Sequence, residues 1–92
     1  MSDAAFGSFG WDSDKAAANE RKHGVSFEEA ALALDDVNAI IQPDANNNGN
    51  LIAICAAPGS GVLFIVHCER ADVTRIISAR CASKAHVARY RG

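Results

Sequence analysis

At 92 residues, 49% of them hydrophobic and 22% charged, the chain has the make-up of one globular domain, residues 1–92, with a single modest core. No run approaches the ~20 apolar residues that cross a bilayer. Met1-Ser2-Asp3-Ala4-Ala5 also lacks the basic start and apolar stretch of a signal peptide, so a cytoplasmic protein with no membrane partner is expected. The net charge of −2 is unevenly divided: residues 1–50 hold nine acids and three bases (−6), residues 51–92 two acids and six bases (+4). The second half can therefore offer a basic face to phosphate.

Phe6 to Trp11 reads as a first strand, with Phe9 and Trp11 on one face. Asp12 is a suitable N-cap for a helix over residues 13–23, which Ala16, Ala17 and Ala18 favour intrinsically. Lys15, Asn19 and Lys22 share a face of that helix, and His23 follows Asn19 at i+4. Gly24 can close it in the left-handed conformation. Ser26 and Glu29 form a capping box for a second helix over about 27–35, with Val25 as its staple residue. Phe27, Ala30, Ala31 and Leu34 form its buried stripe. Asp35 and Asp36 oppose the dipole at its end and are expected in solvent.

Ala39–Gln42 is a short strand stopped by Pro43, and residues 44–50 form a polar, Asn-rich connection. Leu51–Ala57 and Val62–Cys68 are apolar on successive residues, which predicts central strands covered on both faces. Their apolar edges are also places where a partner segment could add to the sheet. Val73–Arg80 is a last strand, and Ser83 caps a short helix ending near Tyr90. The order predicts an α+β domain: a largely antiparallel four- to five-stranded sheet, two N-terminal helices and a short C-terminal one.

Cys55, Cys68 and Cys81 are odd in number and form no CxxC pair, so neither a disulfide framework nor a zinc site is expected; no metal or cofactor is implied. Walker, Gly-rich dinucleotide, GxSxG and HExxH motifs are missing from the sequence. In Arg75-Ile76-Ile77-Ser78-Ala79-Arg80, each arginine in an apolar strand needs a partner. That partner is a carboxylate such as Glu69 or Asp72, or a phosphate gripped by the guanidinium fork. His23 sits at a helix exit, where a cation meets the negative end of the dipole. His67 lies in an apolar strand, where a core role competes with catalysis. Histidine, lysine, arginine and tyrosine suit cleavage of RNA by its own 2′-hydroxyl: a base, cations for the phosphate, and an acid for the leaving 5′-oxygen.

Phe9-Gly10-Trp11-Asp12, Lys15-Ala16-Ala17-Ala18-Asn19, Lys22-His23-Gly24-Val25-Ser26-Phe27-Glu28-Glu29-Ala30 and Arg75-Ile76-Ile77-Ser78-Ala79-Arg80 with Tyr90 resemble the BrnT toxins. These are small RelE-like ribonucleases of bacterial type II toxin–antitoxin systems. The resemblance implies a RelE-like fold and an endoribonuclease that inhibits translation. It also implies neutralisation by a BrnA-like ribbon–helix–helix antitoxin, through which operator DNA would be bound. The matching positions for the active surface are Lys22, His23, Arg75, Arg80 and Tyr90. Of these, Arg75 and Arg80 are expected on phosphate, with His23 or Lys22 in proton transfer. Lys15, His67, Arg70 and Lys84 are candidates to hold the RNA. The last helix of this family is usually basic with an early glutamate, whereas here it reads Ala85-His86-Val87-Ala88. The alternative is accordingly a weakly active or inactive homologue that retains antitoxin binding. A homodimer is compatible with the sequence.

Overall fold

The computed structural model describes residues 3–92, and the side chains from Gly7 onward. Its elements are β1 (Asp3–Phe6), β2 (Phe9–Asp12), α1 (Ser13–His23), α2 (Phe27–Leu34), β3 (Ile40–Pro43), β4 (Leu51–Ala57), β5 (Gly61–Arg70), β6 (Val73–Cys81) and α3 (Lys84–Arg91). All strands join one sheet in the order β1-β2-β6-β5-β4-β3. Neighbours are antiparallel except β2 and β6, which run parallel with Phe9 opposite Thr74 and Gly10 opposite Arg75. The expected α+β architecture is present.

Its first element differs in detail from the expectation. The single strand foreseen over Phe6–Trp11 is a hairpin, β1 paired with β2, which brings the sheet to six strands. Gly7, at φ +63°, makes the tight reversal possible, and period-two hydrophobicity could not distinguish one strand from two short ones. β4 and β5 are interior strands, so neither offers the open edge foreseen for a partner; the edges belong to β1 and β3.

Local chemistry fixes the helices where the sequence placed them. The Asp12 carboxylate accepts from the N–H groups of Asp14 (2.8 Å) and Lys15 (3.2 Å). These bonds, that of Lys15 above all, hold its carboxyl below the usual range. Gly24, at φ +73°, donates its N–H to the Glu20 carbonyl and closes α1. Ser26 and Glu29 complete the reciprocal capping box. On one sheet face, α2 buries Phe27, Ala30, Ala31 and Ala33 in a core with Ala53, Cys55, Leu63, Ile65 and Ala79, and Trp11 meets Phe27 edge to face. Ala53, Ile54 and Cys55 are all fully buried, so β4 is covered on both faces as its unbroken apolar run requires. The Cys55 thiol is pushed up to about 12 by burial and stays protonated.

Asp36 corrects an expectation: it does not simply face solvent. Its carboxylate accepts from the N–H groups of Asn38 (2.9 Å) and Ala56 (2.9 Å), and from the Tyr90 hydroxyl. The Ala56 N–H lies beyond the reach of β3, whose pairing with β4 stops at Ile54, so a carboxylate takes the place of a missing strand partner. Through Tyr90 the same carboxylate ties α3 to the turn after α2.

Candidate functional site

The site is organised by an edge problem. β2 accompanies β6 only at Thr74 and Arg75, which leaves the rest of that side of β6 in need of hydrogen-bond partners. Asn19 supplies them from α1. Its side-chain amide donates to the Ala79 carbonyl (2.8 Å) and accepts from the Ala79 N–H (3.2 Å), as a neighbouring strand would. A second amide proton goes to the Val25 carbonyl (3.1 Å) beyond the α1 turn. Asn19 is buried and its polar atoms are satisfied. This clamp lays α1 along β6 and forms an open groove of about 270 Å³ lined by Lys15, Ala18, Asn19, Lys22, His23, Ile77 and Ser78. Lys15, Lys22 and His23 are exposed at its rim.

Ser78 joins this groove to the arginine-bearing face of the sheet. On β6, Ser78 lies opposite Val66 and Arg80 opposite Phe64; residues two apart project from the same face, about 7 Å apart. A bulge between Val66 and His67 resets the register, so that Arg75, opposite Cys68, returns to that face. The Arg80 guanidinium lies over the Phe64 ring, 4.2 Å from its centroid, and donates to the Cys81 carbonyl (3.4 Å). Among the described residues no carboxylate pairs with Arg80, and Glu69 instead accepts from the Thr74 hydroxyl (2.8 Å). Arg75 lies close enough to Asp12 to add to the depression of its carboxyl pKa, though less than the Lys15 N–H does.

The remaining expected site residues are dispersed. Lys84 is exposed in the first turn of α3, and Arg70 is exposed at the end of β5. Tyr90 spends its hydroxyl on Asp36, and that bond raises its pKa above the ordinary phenol value. His67 requires correction: it is 3% exposed, with neither ring nitrogen hydrogen-bonded, and so presents nothing to an RNA strand. Strand-end proximity suggested access, but the ring projects from an interior strand and is buried. Burial lowers its pKa below the ordinary value, against a weaker upward pull from Glu69.

His67 therefore carries a stability prediction. The unfolded chain binds a proton at this ring, near pH 6.5, more readily than the folded one, so the contribution of the neutral ring is lost as pH falls below about 6.5. Urea midpoints measured between pH 7.5 and 5 should fall in the wild type, and fall less steeply in His67→Leu. Parallel curves would show that the ring does not titrate differently on folding.

Sequence reasoning did not single out Asn19 as the clamp or Phe64 as the seat of Arg80. Asn19, directly after Ala16, Ala17 and Ala18 in a helix, was the available signal, since a polar residue of low helix propensity there wants a specific partner. Nothing local marked Phe64, whose role depends on which residue of β6 lies opposite.

A family model described as "Ribonuclease toxin, BrnT, of type II toxin-antitoxin system" matches residues 11–86. The chain belongs to the BrnT family. The crystal structure of the Brucella abortus ribonuclease toxin BrnT is similar, with a TM-score of 0.66 at 26% sequence identity over 80% of this chain and 94% of that one. No curated protein matches the sequence. The BrnT match includes the Asn19 clamp, the groove residues, Arg75 and Arg80, and ends before Tyr90. No helix among the described residues is long and apolar enough to cross a membrane.

Proposed function

We propose that this chain is an endoribonuclease toxin that cleaves RNA without a metal ion and so inhibits translation, with Arg80 and Arg75 on the scissile phosphate and Lys22 or His23 in proton transfer. The observation that carries this reading is the shared position of Ser78. It lines the Lys15–Lys22–His23 groove and stands beside Arg80 on the same strand face, so cations and an imidazole flank one strip of surface. The 2′-oxygen attacks phosphorus and loses its proton to the base. The bond to the 5′-oxygen breaks, that oxygen takes a proton, and a 2′,3′-cyclic phosphate remains. Guanidinium and ammonium groups stabilise the charge that builds on the phosphoryl oxygens. Lys84 and Arg70 extend the cationic surface for the flanking RNA.

The family places an antitoxin opposite this chain, and a BrnA-like ribbon–helix–helix protein in the cytoplasm is the proposed partner, carrying the pair to its operator DNA. The edge strand β3 suits such a partner, since it ends the sheet and carries the exposed apolar side chain of Ile41.

The test is incubation of purified protein with end-labelled RNA in excess EDTA, read for cyclic-phosphate ends. Cleavage that persists supports metal-independent chemistry, and cleavage restored only by a divalent ion overturns it. A folded wild type that cuts neither free nor ribosome-bound RNA would favour the second reading, an inactive homologue that binds antitoxin. The basis for that reading is Ala85-His86-Val87-Ala88, which stands where the resemblance implies a basic helix.

A further inference from the structure

The side of the Phe64 ring system away from the α1 groove carries a group that the reading above does not use. The His86 imidazole packs on Phe64 with centroids 5.0 Å apart and planes tilted by 35°, and the Arg80 guanidinium lies over the same Phe64 ring at 4.2 Å. Imidazole and guanidinium are therefore no farther apart than the sum of those distances. Both groups carry N–H donors, and a phosphate at the rim of that ring can accept a hydrogen bond of about 2.7–2.9 Å from each. His86 Nδ1 is 3.0 Å from the Ser83 Oγ, which also accepts from the His86 backbone N–H (3.3 Å). A serine oxygen has two acceptor sites, so it can hold the Nδ1 proton while serving as N-cap, leaving Nε2 as the nitrogen that gains and loses a proton.

From this geometry we infer that His86 is a catalytic residue of the proposed ribonuclease, its protonated Nε2 giving a proton to the leaving 5′-oxygen of a phosphodiester held by Arg80. The inference rests on the ribonuclease reading. In-line displacement puts the entering and leaving oxygens on opposite sides of phosphorus. The His23 groove lies along the β2 side of β6, whereas Phe64, on which His86 packs, is in β5 on the other side, so a phosphate held by Arg80 of β6 would have one imidazole to either side. The developing charge on the leaving oxygen falls beside Arg80. As the P–O5′ bond breaks, its electron pair moves to O5′, which takes the Nε2 proton. The ring becomes neutral, keeping its Nδ1 proton in the hydrogen bond to Ser83 Oγ.

Substitution of His86 leaves the α3 cap intact, because the cap is made by the backbone N–H of that residue. His86→Gln should keep the wild-type thermal midpoint to within a few degrees. The assay compares two oligoribonucleotides of one sequence, cut at the position mapped with wild-type protein. One has the natural 5′-oxygen at that position, the other sulfur, which leaves as a thiolate without needing a proton. His86→Gln should lose about 10²–10⁴-fold in rate on the oxygen substrate and recover to near wild-type rate on the sulfur one. Equal loss on both substrates would overturn the acid assignment and make His86 a base or a phosphate ligand. Unchanged rates on both would overturn any role in the reaction. If the wild type cuts neither RNA, the ribonuclease reading falls, and this assignment with it.

Discussion

Arg80→Ala is expected to reduce RNA cleavage by about 10²–10³-fold, the usual result of removing one donor aimed at transition-state charge. The fold should tolerate the change. Arg80 is half-buried, is held by the Phe64 face and one long bond to the Cys81 carbonyl, and stabilises no buried carboxylate among the described residues. A stacked cation at such a site contributes on the order of 0.5–1 kcal/mol, a small part of domain stability. Arg80→Lys should remain well below wild type, because an ammonium has no planar fork and stacks less well on a ring. Rates measured on the mapped RNA, beside thermal melts of each variant, separate the two effects. Full activity in Arg80→Ala would move the phosphate away from the β6 strip.

The second large effect is structural. Asn19→Leu removes a side chain of comparable size that serves the Ala79 N–H, the Ala79 carbonyl and the Val25 carbonyl at once. Each backbone group left buried without a partner costs about 1–3 kcal/mol, so a loss of about 3 kcal/mol or more is expected. For a domain of this size that is a fall in thermal midpoint of about 12–24 °C, taking ~4–8 °C per kcal/mol. Asn19→Asp should fare no better, since a carboxylate accepts but cannot donate to the two carbonyls. Cleavage by the Asn19 variants, measured well below their midpoints, should also drop, because the clamp positions Lys22 and His23 against Ser78. A midpoint within 3 °C of wild type would mean that water replaces the amide and that α1 is held by its apolar contacts.

Asp12, Gly24, Ser26, Glu29 and Ser83 declare their roles through partners no more than four residues away, and the structure puts every one of those caps where the sequence did. The unbroken apolar run over β4 is equally legible, since a strand covered on both faces has no polar face to alternate. Lys22 and His23 could be placed at an exposed helix exit from Gly24 alone. His67 and Asp36 could not be placed in this way. One histidine in an apolar strand is compatible with a core or a cleft, and which of the two it meets depends on what packs over that face of β5. Asp36 follows a helix end, where solvent is the ordinary destination, yet it bonds to Ala56 and Tyr90, twenty and fifty-four residues away.

The sequence by itself determined the three helices and their caps, the apolar interior strands, the α+β class and the kinship with BrnT toxins. Each of these is set by local spacing or by motifs within short runs. The tertiary structure alone decided that the first strand is a hairpin, that Asn19 completes the edge of β6, and that Phe64 brings Arg80 and His86 to one ring. Those outcomes depend on strand order and register, and register is set by the simultaneous pairing of distant segments rather than by any one of them.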